Sequence, residues 1–286
     1  MNTRRRCFSL RLGARVLELG ESTAIMGIVN VTPDSFSDGG TFLDPAAAIA
    51  HGLRLAGAGA DILDVGGEST RPGAEPVSEQ DELRRVVPVI RELAARSGVP
   101  VSIDTTKAAV AEAALAAGAT MVNDVSALRL DPHLGEVVAR SGAALVIMHM
   151  QGTPRTMQQA PHYDDLLGEV IAELAAGVGR AAAAGIDPGR ILVDPGIGFG
   201  KSLEHNLELL DRLGELDVLG RAILVGPSRK AFIGRLLDLP AAERVEGTIA
   251  ACCCAADRGA HVVRVHDVGP VRRALRVADA IRGRAA

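Results

Sequence analysis

The chain has 286 residues, of which 48% are hydrophobic and 23% are charged, a balance that is typical of a folded globular protein and excludes extended disorder. The net charge of −4 gives no overall attraction to nucleic acid or to an anionic membrane surface. We therefore expect neither as a partner, and we expect any phosphate binding to depend on local groups.

The cysteines and the first residues bear on the cellular compartment. Cys7 and the run Cys252 to Cys254 match neither a zinc half-site nor a disulfide framework, and we interpret them as small apolar side chains in a reducing environment. Arg4 to Arg6 precede no apolar run of signal-peptide length, and no stretch of about twenty uncharged apolar residues follows. The sequence therefore predicts a cytoplasmic protein without a membrane segment.

Strand and helix patterns alternate along nearly the whole chain. Residues 8–19 alternate apolar and polar side chains around Gly13, which predicts a hairpin, and we expect this hairpin to plug the floor of a barrel. Short apolar runs then alternate with helical segments. The predicted strands are 24–29, 61–65, 99–103, 120–123, 144–148, 190–193, 222–225 and 260–265, and the predicted helices are 44–58, 78–95, 107–117, 131–140, 163–184, 203–213, 244–256 and 268–282.

Eight strands that alternate with eight helices predict a (β/α)8 TIM barrel with an N-terminal β-hairpin. The reason is that buried parallel strands read as continuous apolar runs and need helical crossovers. No linker interrupts the pattern, so we expect one domain over residues 1–286, with residues 1–20 as the hairpin segment. A doubly wound parallel sheet is the alternative.

Met26 to Gly40 reads MGIVNVTPDSFSDGG, an apolar strand that runs into a loop rich in turn-forming residues. At the carboxyl end of a barrel strand, such a loop lies where the chemistry takes place. The stretch offers oxygens to a cation or an amine from Asn30, Asp34 and Asp38. Phe36 is an aromatic side chain among polar ones. Taken alone, the stretch is equally compatible with a surface turn whose phenylalanine packs back into the core.

Polar residues follow every predicted strand, and the carboxyl ends of the strands form the functional face of a barrel. Capping or turn formation explains each of them singly, whereas amide, carboxylate and cationic groups at all eight ends indicate a site for a polar substrate. The first polar residues after the strands are Asn30, Glu68 to Arg71, Asp104 and Thr105, Asn123 and Asp124, His149, Asp194, Ser228 to Lys230, Arg264 and His266.

These residues divide by chemistry into two subsites. One set offers donors and acceptors that suit a flat heterocycle with amino and carbonyl edges, together with apolar faces for stacking. It consists of Asp104, Asn123, Asp194 and Lys230, with Met148 and Phe199 as the apolar faces. The other set suits an anion, because arginine pairs bidentately with phosphate oxygens. It consists of Asn30, Arg71, Arg264 and His266.

Other motifs give weaker signals. Residues 194–201, DPGIGFGK, lack the register of a dinucleotide fingerprint and the spacing of a P-loop. We interpret their glycines as room for a flat ring and Lys201 as a solvated charge at a helix start. His149 and His266 are isolated, which argues against metal-dependent hydrolysis and favours a structural role for His149. No G-x-S-x-G elbow indicates serine-based acyl transfer.

The strings MGIVNVTPDSFSDGG, DVGGESTRPGA, SIDT, NDVS, DPGIGFGK, GPSRKAFIG and RVHDV together resemble the dihydropteroate synthases of the pterin-binding barrel family. The resemblance covers residues 22–281, and its specific parts are the first two strings and SRK. It implies a transferase of folate biosynthesis that joins 6-hydroxymethyl-7,8-dihydropterin pyrophosphate to p-aminobenzoate and releases pyrophosphate with the help of Mg²⁺. It also implies a homodimer and a target of sulfonamides.

Matched position by position, the resemblance implies a role for each site residue. The pterin ligands are Asp104, Asn123, Met148, Asp194, Gly198, Phe199 and Lys230. The pyrophosphate ligands are Asn30, Arg71, Arg264 and His266, of which Asn30 is also the Mg²⁺ contact. The p-aminobenzoate contacts are Phe36, Asp38, Thr70, Pro72 and Lys230. Ala231 stands where the family often has serine, so a hydroxyl contact to the benzoate carboxylate is missing there.

The implied reaction needs no protein nucleophile. We expect a dissociative substitution in which pyrophosphate leaves first and the aniline nitrogen captures a delocalised pterin cation, with fixed charges and orientation supplying most of the rate. The residues expected to act in catalysis are Asp104, Lys230, Asn30 and Arg264. We expect Asp104 to stabilise the cation and Asp194 to bind the guanidine-like pterin edge.

Two alternatives stay open at this point. A methyltetrahydrofolate:corrinoid methyltransferase shares the pterin barrel but binds no pyrophosphate, and Arg71 and the SFSDGG loop argue against it. A pterin-binding protein without activity is the other alternative, and the intact polar set argues against that.

Overall fold

Eight parallel strands close into a barrel in the computed structural model, which describes residues 5–32, 45–69 and 73–283. The strands are β1 (Phe8–Leu12), β2 (Arg15–Leu19), β3 (Ala24–Asn30), β4 (Ile62–Gly66), β5 (Val101–Asp104), β6 (Met121–Asp124), β7 (Ala144–Met148), β8 (Ile191–Asp194), β9 (Ala222–Val225) and β10 (Val262–Val265). The barrel runs from β3 to β10 in sequence order and closes where β10 pairs with β3. The predicted (β/α)8 fold is confirmed, and the doubly wound sheet is excluded because the sheet is closed.

Helices connect the successive strands of the barrel. They are α1 (Pro45–Gly57), α2 (Glu79–Arg96), α3 (Ala108–Ala116), α4 (Leu134–Ser141), α5 (Leu166–Ala183), α6 (Leu203–Asp211), α7 (Ala231–Leu237), α8 (Val245–Asp257) and α9 (Val268–Ile281). Among the described residues, α7 is an addition to the eight predicted helices, because its seven residues are too few for a helical repeat to stand out. Across the described ranges, no helix combines the length and the apolar character that a bilayer crossing demands.

The start of α2 shows how local sequence sets a helix boundary. Ser78 precedes the helix in an extended conformation, and its hydroxyl accepts a hydrogen bond from Asp81 N at 3.1 Å. Such a cap satisfies one of the backbone N–H groups that the first turn leaves unpaired. The acidic residues Glu79, Asp81 and Glu82 lie in the same turn, where negative charge is favourable.

Side chains of the barrel strands alternate between the interior and the layer beneath the helices. In β4, Leu63 and Val65 pack in the core between the strands and the helices, whereas Ile62 packs in the barrel interior. Because strand side chains alternate with a period of two, Asp64 lies on the same inner face as Ile62. The alternation therefore brings a carboxylate into the barrel.

The hairpin of β1 and β2 fills the amino-terminal end of the barrel, as predicted. Leu10, Leu12 and Leu19 are buried in one apolar cluster with inward-facing residues of the barrel strands, among them Met26 and Met121. Complete burial of a leucine side chain contributes about 1.5–3 kcal/mol. The floor of the barrel is thus closed by apolar packing, and the polar groups gather at the opposite end.

The cysteines of the described residues are all free. Cys252 is buried in the core of α8, where it acts as the small apolar side chain that the sequence predicts. Cys7 and Cys254 are exposed, so the same interpretation is wrong for those two residues.

Candidate active site

The carboxyl ends of the barrel strands bring the predicted site residues of the described segments to one mouth. Strand pairing sets Asn30, Gly66, Asp104 and Asn123 side by side across β3 to β6. Asp194 ends β8 at the same end of the barrel. Because all eight strands are parallel, residues that end different strands converge on one opening.

Arg264 links the centre of this site. Its Nε donates a hydrogen bond to Asp64 Oδ2 at 2.6 Å, and its Nη2 donates to Asp104 Oδ2 at 2.7 Å. Asn123 Nδ2 donates to the same Asp64 oxygen at 3.0 Å. The guanidinium therefore stands between two carboxylates, and the predicted heterocycle and anion subsites meet at this arginine.

Sequence reasoning missed Asp64, which is fully buried inside the barrel. Its Oδ1 is also buried, and that oxygen has no hydrogen-bond partner in the described part of the chain. The signal was present in the sequence ILDVG of β4, where one charged residue stands among apolar ones, two positions before Gly66. A period of two places both positions on the inner face, so Asp64 belongs to the site.

The Asp104 carboxyl group changes its protonation state near neutral pH. Burial raises the pKa of this carboxyl group to about 7, and the carboxylates of Asp64 and Glu82 raise it as well, while the Arg264 guanidinium acts in the opposite direction. A carboxyl group with such a shift, at the mouth of a barrel, is a candidate for a catalytic role.

Asp194 is buried at the end of β8 and remains an acceptor. Burial raises its pKa to about 6. The charged form is favoured by Gly196 N–H, which donates to Oδ1 at 2.7 Å, and by the nearby Lys230 ammonium. At neutral pH the carboxylate is therefore mostly ionised and ready to accept hydrogen bonds from a ligand.

Lys230 lies against one wall of an apolar slot. Its Nζ is 4.0 Å from the centre of the Phe199 ring, a cation–π contact. Phe199 packs with Met148 in one apolar cluster. Gly198 has a φ of +80°, and a Cβ atom there would lie 3.0 Å from Lys230 Cδ, so a larger residue would strain the backbone and displace the lysine stem. The structure thus brings together the predicted walls of the heterocycle subsite.

His266 contributes a neutral ring to the anion side of the site. Its Nδ1 lies 2.9 Å from Ser228 Oγ, and its backbone N–H donates to the same oxygen at 3.2 Å. Burial lowers the pKa of His266 to about 3, and the Arg264 guanidinium lowers it further. We assign the ring proton to Nε2 because the serine hydroxyl donates to Nδ1. His266 therefore offers an anion a hydrogen bond without a positive charge.

The prediction of a solvated Lys201 is wrong. The residue is only 2% exposed, and its Nζ lies 2.9 Å from His149 Nδ1 and donates to Phe199 O at 3.0 Å. His149, for which the sequence predicts a structural role, is buried beside it. A lysine and a histidine thus lie behind the loop that carries Phe199.

Sequence reasoning also missed an ion cluster at the edge of the mouth. Lys107 Nζ donates to Glu68 and lies 2.5 Å from Glu82 Oε2. Glu82 is fully buried, and Glu68 Oε1 accepts a hydrogen bond from Val77 N at 3.2 Å. The cluster joins α2 and the residue before α3 to the segment that follows β4.

Five predicted site residues cannot be placed in this geometry. They lie outside the described residues and are Phe36, Asp38, Thr70, Arg71 and Pro72.

Asn30 is the residue expected to contact Mg²⁺. It ends β3 at the mouth of the barrel and is partly exposed. In the described ranges, no three His, Cys, Asp or Glu side chains converge as a metal site. Mg²⁺ usually keeps several waters and takes one or two protein oxygens when substrate phosphates supply the rest, so a single amide oxygen fits that kind of site.

Comparison with known proteins connects this geometry to a family. The family described as pterin binding enzyme matches residues 26–266. Dihydropteroate synthase of Synechocystis sp. is 48% identical to this chain over 273 residues, which cover 95% of this chain and 94% of that protein.

Solved structures share both the fold and much of the sequence. Dihydropteroate synthase of Yersinia pestis with a sulfonamide drug complex has a TM-score of 0.92 and 45% identity, and the match covers 96% of this chain and 100% of that one. Dihydropteroate synthase of Xanthomonas albilineans in complex with 7,8-dihydropteroate has a TM-score of 0.85 and 47% identity, with 96% and 98% covered. Matches of this extent, on a barrel with this polar mouth, show that the chain belongs to the family of pterin-binding enzymes, among its dihydropteroate synthases.

Proposed function

We propose that the site joins 6-hydroxymethyl-7,8-dihydropterin pyrophosphate to p-aminobenzoate, giving 7,8-dihydropteroate and pyrophosphate. The observation that carries the proposal is the polar cluster around Arg264, which lies inside the barrel mouth and contains Asp64, Asp104 and Asn123. The Xanthomonas relative with 7,8-dihydropteroate and the Yersinia relative with a sulfonamide drug support the choice of substrates.

Asp194 and Asn123 bind the amino-pyrimidinone edge of the pterin. An ionised carboxylate accepts two parallel N–H groups from a guanidine-like edge, as it does from arginine. The amino group of Asn123 already donates to Asp64, so its Oδ1 is the atom that accepts a ring N–H. Phe199 covers one face of the ring, and Lys230 donates to a ring acceptor.

The leaving pyrophosphate is bound by Arg264, His266 and Asn30, together with Arg71. Arg264 contributes charge, and His266 contributes the Nε2–H that its contact with Ser228 leaves available. When Mg²⁺ is bound, it reduces the negative charge of the departing group, and Asn30 holds the ion there.

The substitution is dissociative. The bond between the pterin methylene carbon and the pyrophosphate oxygen breaks first, its electron pair leaves with pyrophosphate, and the positive charge spreads into the dihydropterin ring. The aniline nitrogen then forms a bond to the methylene carbon, and its extra proton passes to the released pyrophosphate. Ionised Asp104 stabilises the cation, and Arg264 favours this ionised form because its positive charge lowers the pKa of Asp104.

The p-aminobenzoate contacts are Phe36, Asp38, Thr70, Pro72 and Lys230, and the family resemblance is their support. Ala231, which opens α7, offers no hydroxyl, so the benzoate carboxylate binds there through the backbone or water.

The protein acts as a homodimer in the cytoplasm, where the free cysteines stay reduced. Helices α6, α7 and α8 enclose an apolar groove, and Leu236 and Leu237 at its rim are 55% and 46% exposed. Exposed apolar patches of this kind mark interfaces, and a second copy of the chain covers this one. Leu236→Glu with Leu237→Glu should give a monomer in light scattering, and an unchanged dimer mass would exclude this interface.

Pyrophosphate release tests the activity. The purified chain is incubated with dihydropterin pyrophosphate, p-aminobenzoate and Mg²⁺, with parallel reactions that omit the benzoate or replace Mg²⁺ by a chelator. We expect dihydropteroate and pyrophosphate in equal amounts in the complete reaction. If no pyrophosphate forms, the proposal fails, and methyl transfer from methyltetrahydrofolate to a corrinoid acceptor then tests the remaining enzymatic alternative.

A further inference from the structure

Lys201 is a buried cation to which the proposed reaction gives no task. It is 2% exposed, and burial lowers the pKa of its ammonium to about 7, against the opposing carboxylates of Asp194 and Glu173. Removing an ammonium group from water is costly unless hydrogen bonds and charges compensate. The contacts of the Lys201 ammonium group therefore indicate what this residue does beside the active site.

The ammonium group of Lys201 holds the backbone of Phe199. Nζ donates to Phe199 O at 3.0 Å, while the Phe199 ring lies 4.0 Å from the Lys230 Nζ. The two lysines thus engage opposite ends of one residue. Lys201 engages the main chain from behind the loop, and Lys230 engages the ring on the side of the slot.

His149 and Glu173 complete the support behind the loop. Lys201 Nζ lies 2.9 Å from His149 Nδ1, and His149 Nε2 lies 3.4 Å from Glu173 Oε2. Burial lowers the pKa of His149 to about 2, so the ring is neutral and Nδ1 accepts from the lysine while Nε2–H faces the glutamate. The backbone N–H of His149 also donates to Asp194 O at 2.9 Å, which ties this support to the end of β8.

We propose that Lys201 is a positioning residue for the pterin slot. By holding the Phe199 carbonyl against His149, it fixes the Phe199 ring over the Lys230 ammonium and sets the width of the space between ring and strand end. The proposal rests on the proposed function, because the flat ligand of the slot is taken to be the dihydropterin.

Other hydrogen bonds fix the path of the same loop without contacting Phe199. Tyr163 Oη donates to Gly200 O at 2.8 Å, and Gly198 N donates to Asn206 Oδ1 at 2.6 Å. The loop therefore keeps anchors on both sides when Lys201 is replaced. Tyr163→Phe is a matched control, since it removes one hydrogen bond from the residue next to Phe199 and leaves Lys201 in place.

Lys201→Met tests the proposal, because methionine has a similar length but cannot donate a hydrogen bond. The readouts are the dissociation constant of 6-hydroxymethylpterin by calorimetry and the KM values of both substrates. We expect about tenfold weaker pterin binding and a rise in pterin KM, with less than about a twofold change in the KM of p-aminobenzoate. Tyr163→Phe should change each value by less than about twofold.

A double-mutant cycle separates positioning of Phe199 from general loosening of the fold. In a Phe199→Leu background, Lys201→Met should weaken pterin binding by less than about twofold, because the residue through which Lys201 acts is gone. If the methionine variant does not fold, Lys201→Gln takes its place, because glutamine keeps a hydrogen-bond donor on a shorter side chain. We expect its pterin binding to be at least about threefold weaker than that of the unchanged protein.

Additive effects in the cycle, equal losses for both substrates, or a Tyr163→Phe variant that reproduces the loss would each overturn the positioning role. These outcomes differ from a failure of the proposed function. If the proposed function is wrong, the unchanged protein releases no pyrophosphate, and this result is known before any variant is measured.

Discussion

Asp64→Asn tests whether this buried carboxylate fixes the position of Arg264 in the candidate site, although the carboxylate itself contacts no reacting atom. Asp64 Oδ2 accepts from Arg264 Nε at 2.6 Å and from Asn123 Nδ2 at 3.0 Å, and the residue is fully buried. Asparagine keeps the shape but removes the charge and replaces one acceptor oxygen by an N–H₂ group. At least one of the two donors is then left with a weaker partner.

The size of the effect follows from these contacts. A hydrogen bond to a charged group contributes about 1.5–3 kcal/mol. Because about 1.4 kcal/mol corresponds to a factor of ten, kcat/KM for the pterin pyrophosphate should fall by about 10- to 150-fold. Arg264 keeps its contact with Asp104, so the loss in the free energy of unfolding should stay below the roughly 3–5 kcal/mol of an unpaired buried charge.

Glu112→Gln is the matched control. Glu112 Oε1 pairs with Arg140 Nη2 at 3.1 Å on the protein surface, so the same replacement of a carboxylate by an amide is made in an exposed ion pair. We expect unchanged kcat/KM and a loss of stability of at most about 1 kcal/mol, measured by urea unfolding.

The pH dependence of kcat/KM provides a second test of the role of Asp64. After burial itself, the Asp64 carboxylate is among the groups that raise the pKa of Asp104 to about 7. Without the Asp64 charge, the pKa of Asp104 falls, and the acidic limb of the profile should move to lower pH. If the limb stays in place or moves to higher pH, or if kcat/KM stays within about twofold of the unchanged enzyme, Asp64 does not act on Arg264 and Asp104 as described.

Asp194→Asn should abolish binding of 6-hydroxymethylpterin in calorimetry. Asp104→Asn should keep this binding but reduce turnover by more than about tenfold, and unchanged turnover would contradict the role of Asp104. On folding, the pKa of Asp104 rises from 3.8 to about 7 and that of Asp194 rises from 3.8 to about 6. Between the unfolded and the folded pKa values, the ligand-free fold binds more protons than the unfolded chain, so the stability that these two groups contribute is lost as the pH rises through that interval. The buried neutral rings of His149 and His266, whose pKa values are lowered, act in the opposite direction, so Asp104→Asn is the comparison that isolates Asp104. From pH 5 to pH 7.5, the melting temperature of the unchanged protein should fall relative to that of Asp104→Asn, and a constant difference would contradict the raised pKa of Asp104. Leu12→Ala should cost about 2–5 kcal/mol of unfolding free energy while kcat/KM is kept, and lost activity in a folded variant would contradict a purely structural hairpin.

The architecture could be predicted because each strand is a short apolar run between helical segments. In β7 and β9 the predicted and observed bounds coincide, at Ala144–Met148 and Ala222–Val225. The carboxyl ends then follow from the bounds, which is why Asp104, Asn123 and Asp194 could be assigned to one site. Parallel strands leave little freedom in where their ends meet.

Residues that depend on tertiary contacts could not be assigned in the same way. Asp64 lies inside a strand rather than at its end, so a search of strand ends passes over it. The helix start after Lys201 was placed correctly, but the burial of the lysine depends on the backbone before it. Gly196, Gly198 and Gly200 have φ values of +71°, +80° and +62°, and this left-handed path turns the lysine inward. No local pattern distinguishes an inward lysine from a solvated one.

The hairpin at the floor of the barrel also bears on how the active site can evolve. Proteins accept new mutations only while their stability stays above a threshold, and changes at a binding site commonly lower stability. The buried leucines of the hairpin supply stability at the end of the barrel opposite the substrates. They provide a margin within which residues of the pterin and benzoate pockets can change, for example under selection by an inhibitor. A chain with a weakened hairpin would catalyse the same reaction but have fewer accessible routes to drug resistance.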